Sequence, residues 1–225
     1  MPTLQRHDDL YVLDLGDGEN RFTREWMTSV TEALDEVDAA DGPRALLTVA
    51  TGKIWSNGLD LDWLMANLDK AAEYTAQVQD LFARTLSTQY PTIAVLQGHT
   101  FAAGALLALA HDVRIMRVDR GYFCLPEVDI NIPFAPGMSA LIQGRLSHAT
   151  AHEAMTTGRR YGGAEAVDAG IVAAALPLEE LVPHAEAWAS GQASKAGPTL
   201  RTIRTMLYRE AIELLGQPVV LELPG

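Results

Sequence analysis

The segment CLPEVDINIPF, residues 124–134, carries one glutamate, Glu127, directly after a proline. Its surroundings are mostly apolar: Phe123, Leu125, Val128, Ile130, Ile132 and Phe134. A carboxyl group among such neighbours loses hydration, which disfavours its charged form and raises its pKa. An acid with a raised pKa can take and return a proton near neutral pH, as general acid–base chemistry requires. A glutamate turned to solvent at a strand end, or paired with an arginine, fits the same local sequence. Asp129, two residues on, suits a turn or helix cap.

Two other stretches offer donors. GHTFAAGALLALAHD (98–112) opens an apolar helix, predicted over 102–111, with Ala102, Ala103, Gly104 and Ala105. A helix N-terminus leaves N–H groups unpaired and carries partial positive charge. Small side chains let a ligand oxygen approach those donors, which makes half of an oxyanion site. Tight packing against a neighbouring element calls for the same small residues. IWSNGLDLDWL (54–64) turns at Ser56, Asn57 and Gly58, so the N–H of Leu59 is a second outward-facing donor. An ordinary loop capped by Asn57 or Asp60 is the alternative.

Strands and helices must hold these pieces in place. Alternation predicts a strand at 10–15, and composition predicts buried strands at 45–51 and 92–98. Residues 23–40 have helical spacing with Thr23 as N-cap, and 63–87 do so with a break near 68–71. VRIMRV (113–118) and YFCL (122–125) read as strands around the turn DRG. Further helices are expected at 137–145, 149–157, 178–193 and 198–215, with a strand at 169–176. The 102–111 helix has no polar face before His111, so it must be buried nearly all round. Interleaved strands and helices indicate an α/β fold.

The formal net charge of −12 over 225 residues argues against nucleic acid and anionic membranes as partners, since both need a basic surface. Local Arg or Lys can still hold an anionic ligand against the overall field. With Cys124 as the single cysteine, an internal disulfide is impossible and a reducing, cytoplasmic setting is expected. The N-terminus has no signal-peptide pattern, the closing LELPG no peroxisomal tripeptide, and no apolar run is long enough for a membrane span. His148 and His152 share a helix face, but a surface helix explains them better than a metal site, so none is expected.

Taken together, the three chemical stretches resemble the crotonase superfamily, the enoyl-CoA hydratase/isomerase fold. IWSNGLDL is similar to its first oxyanion segment, [FW]-S-x-G-x-D-[LI]. GHTFAAGALLALAHDVRI resembles the second, and YFCLPEVDINI the segment that carries a catalytic glutamate. MTTGRRYGGAEAVDAGIVAAALP resembles the later helix–turn–helix–strand. The likeness runs from about residue 8 to 210. It implies a spiral of ββα turns with two roughly perpendicular sheets surrounded by helices, comprising a core over 1–190 and a short C-terminal helical segment over 191–225. It further implies an acyl-CoA thioester as substrate, no cofactor beyond that CoA, and a homotrimer or hexamer.

Residue by residue, the resemblance makes Leu59 and Ala103 the backbone donors to the thioester oxygen, with Ala103 standing where the family usually has glycine. Trp55, Asn57, Gly58, Asp60 and Gly104 fall within the same two ligand-binding segments. Trp55, Phe101 and Phe134 are candidates to line an acyl pocket, with aromatic core packing as the better default. Arg21, Lys53, Arg201 and Arg204 fall where the family's basic residues meet CoA phosphates. Hydratases of the family use two glutamates; one position is Leu106 here and the other matches Glu127. A lone carboxylate suits moving a double bond from C3–C4 to C2–C3, so the pattern is most similar to Δ3,Δ2-enoyl-CoA isomerases. Hydration with an unusual water-orienting group, thioester hydrolysis, or acyl-CoA binding without turnover are the alternatives.

Overall fold

The computed structural model describes residues 1–219; LELPG and the end of the segment assigned to 191–225 lie outside the described residues. The chain opens with β1 (Thr3–His7), β2 (Leu10–Asp14), β3 (Arg21–Phe22) and α1 (Arg24–Ala39). Thr23 caps α1, its hydroxyl accepting from the Trp26 amide at 3.1 Å, and Trp26, Met27, Val30, Ala33, Leu34 and Val37 are its buried face. One pattern then recurs: a longer strand, a short strand, a helix. It runs through β4 (Ala45–Val49), β5 (Ile54–Ser56) and β6 (Gly58–Leu59), then α2 (Leu61–Ala66) and α3 (Ala71–Leu86). It repeats as β7 (Thr92–Leu96), β8 (His99–Phe101) and α4 (Ala103–Ala110), and again as β9 (Val113–Arg117), β10 (Phe123–Cys124) and α5 (Pro136–Arg145).

The longer strands build a six-stranded sheet in the order β1-β2-β4-β7-β9-β11, where β11 is Ala174–Leu176. Only the β1–β2 pair is antiparallel. The short strands form a second, three-stranded sheet, β10-β8-β5, and β3 pairs with β6. This is the ββα spiral.

Several elements differ from the periodicity. The turn DRG does not make a hairpin: it carries the chain from β9 in the large sheet to β10 in the small one. The expected strand at 169–176 is shorter, covering only 174–176, and α7 (Gly163–Asp168) precedes it. The break near 68–71 is a 3₁₀ turn at Leu68–Lys70 between α2 and α3. β1 has almost no buried side chains and therefore no hydrophobic signature.

All eight residues of α4 are buried. At its carboxyl end, His111 Nδ1 donates to Leu107 O at 2.8 Å and Nε2 accepts from the Thr48 hydroxyl at 2.8 Å. Burial, then Arg114, Arg145 and Arg204 nearby, lower the pKa of His111 to about 4, so the ring is neutral. The last carbonyls of a helix lack intrahelical partners, and arginines supply them here. Arg145 Nε donates to Leu109 O at 2.8 Å, and its Nη2 donates to His111 O at 2.6 Å and Asp112 O at 2.9 Å. Arg114 Nη1 donates to His111 O at 3.1 Å.

After α6 (His148–Thr157) and α8 (Leu178–Gln192) come α9 (Pro198–Leu207) and α10 (Arg209–Leu215). These last helices fold back on the core. Arg204 from α9 is buried, pairs with Asp112, and donates to Thr88 O at 2.7 Å and Tyr90 O at 2.9 Å. α10 lies so close to α5 that a Cβ at Gly137 would sit 2.6 Å from the Leu215 amide.

Candidate active site

The β5–β6 turn is held from below by Asn20, a buried residue with φ of 48°. Asn20 Nδ2 donates to Trp55 O at 2.9 Å. Ser56 Oγ donates to Asn20 O at 2.7 Å and accepts from the Gly58 amide at 3.1 Å. The Asn57 amide donates to Glu19 O at 3.0 Å. Two glycines then allow contact between this turn and α4. Gly58 has φ of +78°, and a Cβ there would lie 2.7 Å from the Ala103 amide nitrogen and 2.9 Å from that of Gly104. A Cβ at Gly104 would lie 2.6 Å from Ser56 O. The turn and the helix N-terminus therefore meet backbone to backbone, which side chains would prevent.

The ladder of α4 begins with the Ala105 and Leu106 amides, which both donate to Ala102 O at 2.8 and 3.1 Å. The N–H groups of Ala103 and Gly104 precede it, in the first turn, where no carbonyl lies a turn earlier. Ala102 holds φ 50° and ψ −127°, a conformation that costs an L-residue about 1–3 kcal/mol. Ala102→Gly relieves that strain but enlarges the unfolded ensemble, so a net gain of about 0.5–1 kcal/mol is expected. Urea unfolding of the two proteins checks it; a less stable variant would contradict the strain.

In front of these amides lies a narrow, mostly apolar cleft. Asn57, Leu59, Ala102, Ala103 and Leu106 line one side, and Glu127, Ile130, Ile132, Phe134 and Met138 the other. Glu127 is 8% exposed, and its Oε2 has no hydrogen-bond partner among the described residues. Burial raises its pKa to about 8, opposed only by its own backbone amide. Leu106 is fully buried in the same wall. A desolvated acid thus shares one small space with the opening turn of a helix.

The sequence matches the enoyl-CoA hydratase/isomerase family over residues 10–220. The chain belongs to that family. It is 37% identical to enoyl-CoA delta isomerase 2, peroxisomal, of Arabidopsis thaliana, over 96% of this chain and 95% of the relative. Enoyl-CoA delta isomerase 3 of the same plant is 33% identical at the same coverage. Among solved structures, a probable enoyl-CoA hydratase from Mycobacterium tuberculosis superposes with a TM-score of 0.88 at 22% identity, over 95% of this chain and 91% of that one. The ββα spiral is therefore the crotonase fold.

Against that family pattern, the cleft gathers Glu127, Leu59, Ala103 and Asn57, with Phe134 and Leu106 in its walls. Other expected contacts lie elsewhere. Trp55 is fully buried, edge-on to His111 with ring centroids 6.4 Å apart, so it is core packing under the turn. The Asp60 carboxylate caps α2, accepting from the Trp63 amide at 3.3 Å, while the Asp60 amide donates to Tyr74 Oη at 2.8 Å. Gly58 and Gly104 act through the space they leave. Phe101 sits under the Arg160 guanidinium and against His99, 5.1 Å between centroids.

The cations are also redistributed. Arg21 is bound to Glu19 at 2.6 Å and Asp62 at 2.7 Å; Arg201 pairs with Asp38 and Arg204 with Asp112. These three are occupied within the protein. Lys53 lies beside His99, whose pKa is lowered by burial and then by Lys53, Arg160 and Arg120. Sequence reasoning missed Asn20 and Tyr74, which support the turn, and Leu61 and Met138, which line the cleft. The one local signal was Asn20, since asparagine tolerates positive φ at a turn. Among the described residues, no three His, Cys, Asp or Glu side chains cluster as a metal site, and no helix is long and apolar enough to cross a membrane.

Proposed function

We propose that this protein is an enoyl-CoA isomerase that moves a C3–C4 double bond to C2–C3, with Glu127 as its only proton carrier. The observation that carries this reading is one unpaired, desolvated carboxyl facing a helix's opening amides, with Leu106 where a hydratase needs a second carboxylate. The two plant relatives named delta isomerases support it. The Glu127 carboxylate takes a proton from C2 of the 3-enoyl thioester. The C–H electron pair forms C1=C2, and the carbonyl π pair moves onto the thioester oxygen. The amides of Leu59 and Ala103 donate to that oxygen, each worth about 3 kcal/mol. When the oxyanion collapses, C2=C3 forms, the C3=C4 pair reaches C4, and Glu127 returns the proton there. Assembly as trimers, residence in the cytosol, and no cofactor beyond the substrate's CoA belong to the same reading.

Assays of 3-enoyl-CoA isomerisation and 2-enoyl-CoA hydration, run side by side, test it. Isomerisation is expected to exceed hydration by about 10²-fold or more, since a missing general acid–base partner costs that much. Comparable rates would refute the single-carboxylate assignment, and ligand binding without any product would make the protein a binder. The pH profile is a further expected outcome. Glu127 acts as a base only when ionised, and its pKa is about 8. Below that pH, kcat/KM should fall about tenfold per unit. A profile flat down to pH 5 would mean that another group is the base.

A further inference from the structure

Glu127 borders two spaces. One is the cleft. The other is a shallow recess, open to solvent, that is also lined by Val128, Asn131, Ser139 and Met155. Glu127, Ile132, Pro133 and Phe134 line both, so Glu127 and the stretch 132–134 are a wall common to the two spaces. The two spaces differ in chemistry. The cleft around Glu127 is lined mainly by apolar side chains, Leu59, Leu106, Ile130 and Met138 among them, with the Asn57 amide as its other polar side chain. The titratable neighbour that feels the Glu127 charge is the Cys124 thiol, whose pKa burial pushes up to about 11, so that thiol stays protonated and is no base for the proton. The recess has an amide at Asn131 and a hydroxyl at Ser139, and water held by such groups bridges polar atoms well.

We infer that the hydrogen carried by Glu127 exchanges with water through this outer recess while substrate fills the cleft, and that Ser139 and Met155 control the access. The inference rests on the isomerase reading. Its balance is simple: the proton removed from C2 passes from the Glu127 carboxyl to recess water, and a solvent proton takes its place before delivery to C4. The double-bond shift itself is unchanged.

Isomerisation of trans-3-hexenoyl-CoA in D2O, stopped at about one-tenth conversion and read by mass spectrometry and NMR, tests it. Most product molecules should carry one deuterium at C4. Ser139→Phe fills the recess without touching the cleft; it should lower that deuterium at least about threefold while kcat stays within about twofold. Met155→Trp should do the same if Ser139→Phe does not fold. Wild-type product with about nine-tenths or more protium at C4, or variants with unchanged deuterium, would overturn the inference and leave the isomerase reading intact. Absence of any isomerisation would overturn the reading itself, and the inference with it.

Discussion

Glu127→Gln is expected to lower kcat for isomerisation by at least about 10³-fold, because both proton steps pass through one group and general acid–base catalysis supplies about 10²–10⁴ per group. Glutamine keeps the shape and cannot accept the C2 proton. Binding of a saturated acyl-CoA should be nearly unchanged, because the thioester oxygen meets backbone amides and not this side chain. Near-normal turnover in the variant would remove Glu127 from the mechanism.

The same substitution should make the protein more stable at alkaline pH. The folded-state pKa of Glu127 is about 8, above the ordinary 4.5. Between those values the unfolded chain releases the proton and the folded chain keeps it. Stability therefore falls as pH rises through that window and levels off above about 8. Integrated at about 1.36 kcal/mol per unit, the loss is on the order of 5 kcal/mol. Wild type and Glu127→Gln should thus unfold alike near pH 4, with the variant several kcal/mol more stable near pH 9. Urea titrations at both pH values measure this, and coincident curves at pH 9 would show that the carboxyl is not desolvated. The site's chemistry is then held at a cost to the fold, as expected where a charge is generated in an apolar space.

Gly58→Ala is expected to cost about 10²–10³ in kcat/KM through the oxyanion site alone. The added methyl would lie 2.7 and 2.9 Å from the amide nitrogens of Ala103 and Gly104, closer than a carbon can approach. Either α4 moves away from the turn or the methyl covers the donors, and both outcomes separate the amides from the thioester oxygen. The φ of +78° adds strain of about 1 kcal/mol for a residue with a side chain. Steady-state kinetics with a circular-dichroism control would distinguish loss of the site from loss of the fold. Activity within threefold of wild type would mean that the turn and helix need not touch.

Much of this arrangement was legible because the local signals agreed with the tertiary ones. Thr23 capped the helix it preceded, the all-apolar 102–111 segment had to be buried, and the break near 68–71 followed lost periodicity. What could not be read depended on partners distant in sequence. β1 is recognisable only by its antiparallel register with β2. The DRG turn gives no sign of which sheet β10 joins. Trp55 reads as core by default and as pocket by family position, and His111 beside it decides for core. Arg201 and Arg204 read as free cations because Asp38 and Asp112 lie far away along the chain. For the cleft, residue types identified Glu127, Leu59 and Ala103, but Leu61 and Met138 look like any other apolar residues until the space between them exists.

The guanidinium clamp on α4 bears on how the molecule is made. A ribosome delivers this helix well before Arg145, and Arg204 emerges 92 residues after its partner Asp112. Until Arg145 arrives, the carbonyls of Leu109 and Asp112 need water, and a nascent helix composed only of alanine, glycine and leucine is exposed as a sticky fragment. Competence at the amino end of α4 therefore waits on chain made after the helix itself, and chaperone dependence of the growing chain should ease once Arg145 has cleared the exit tunnel.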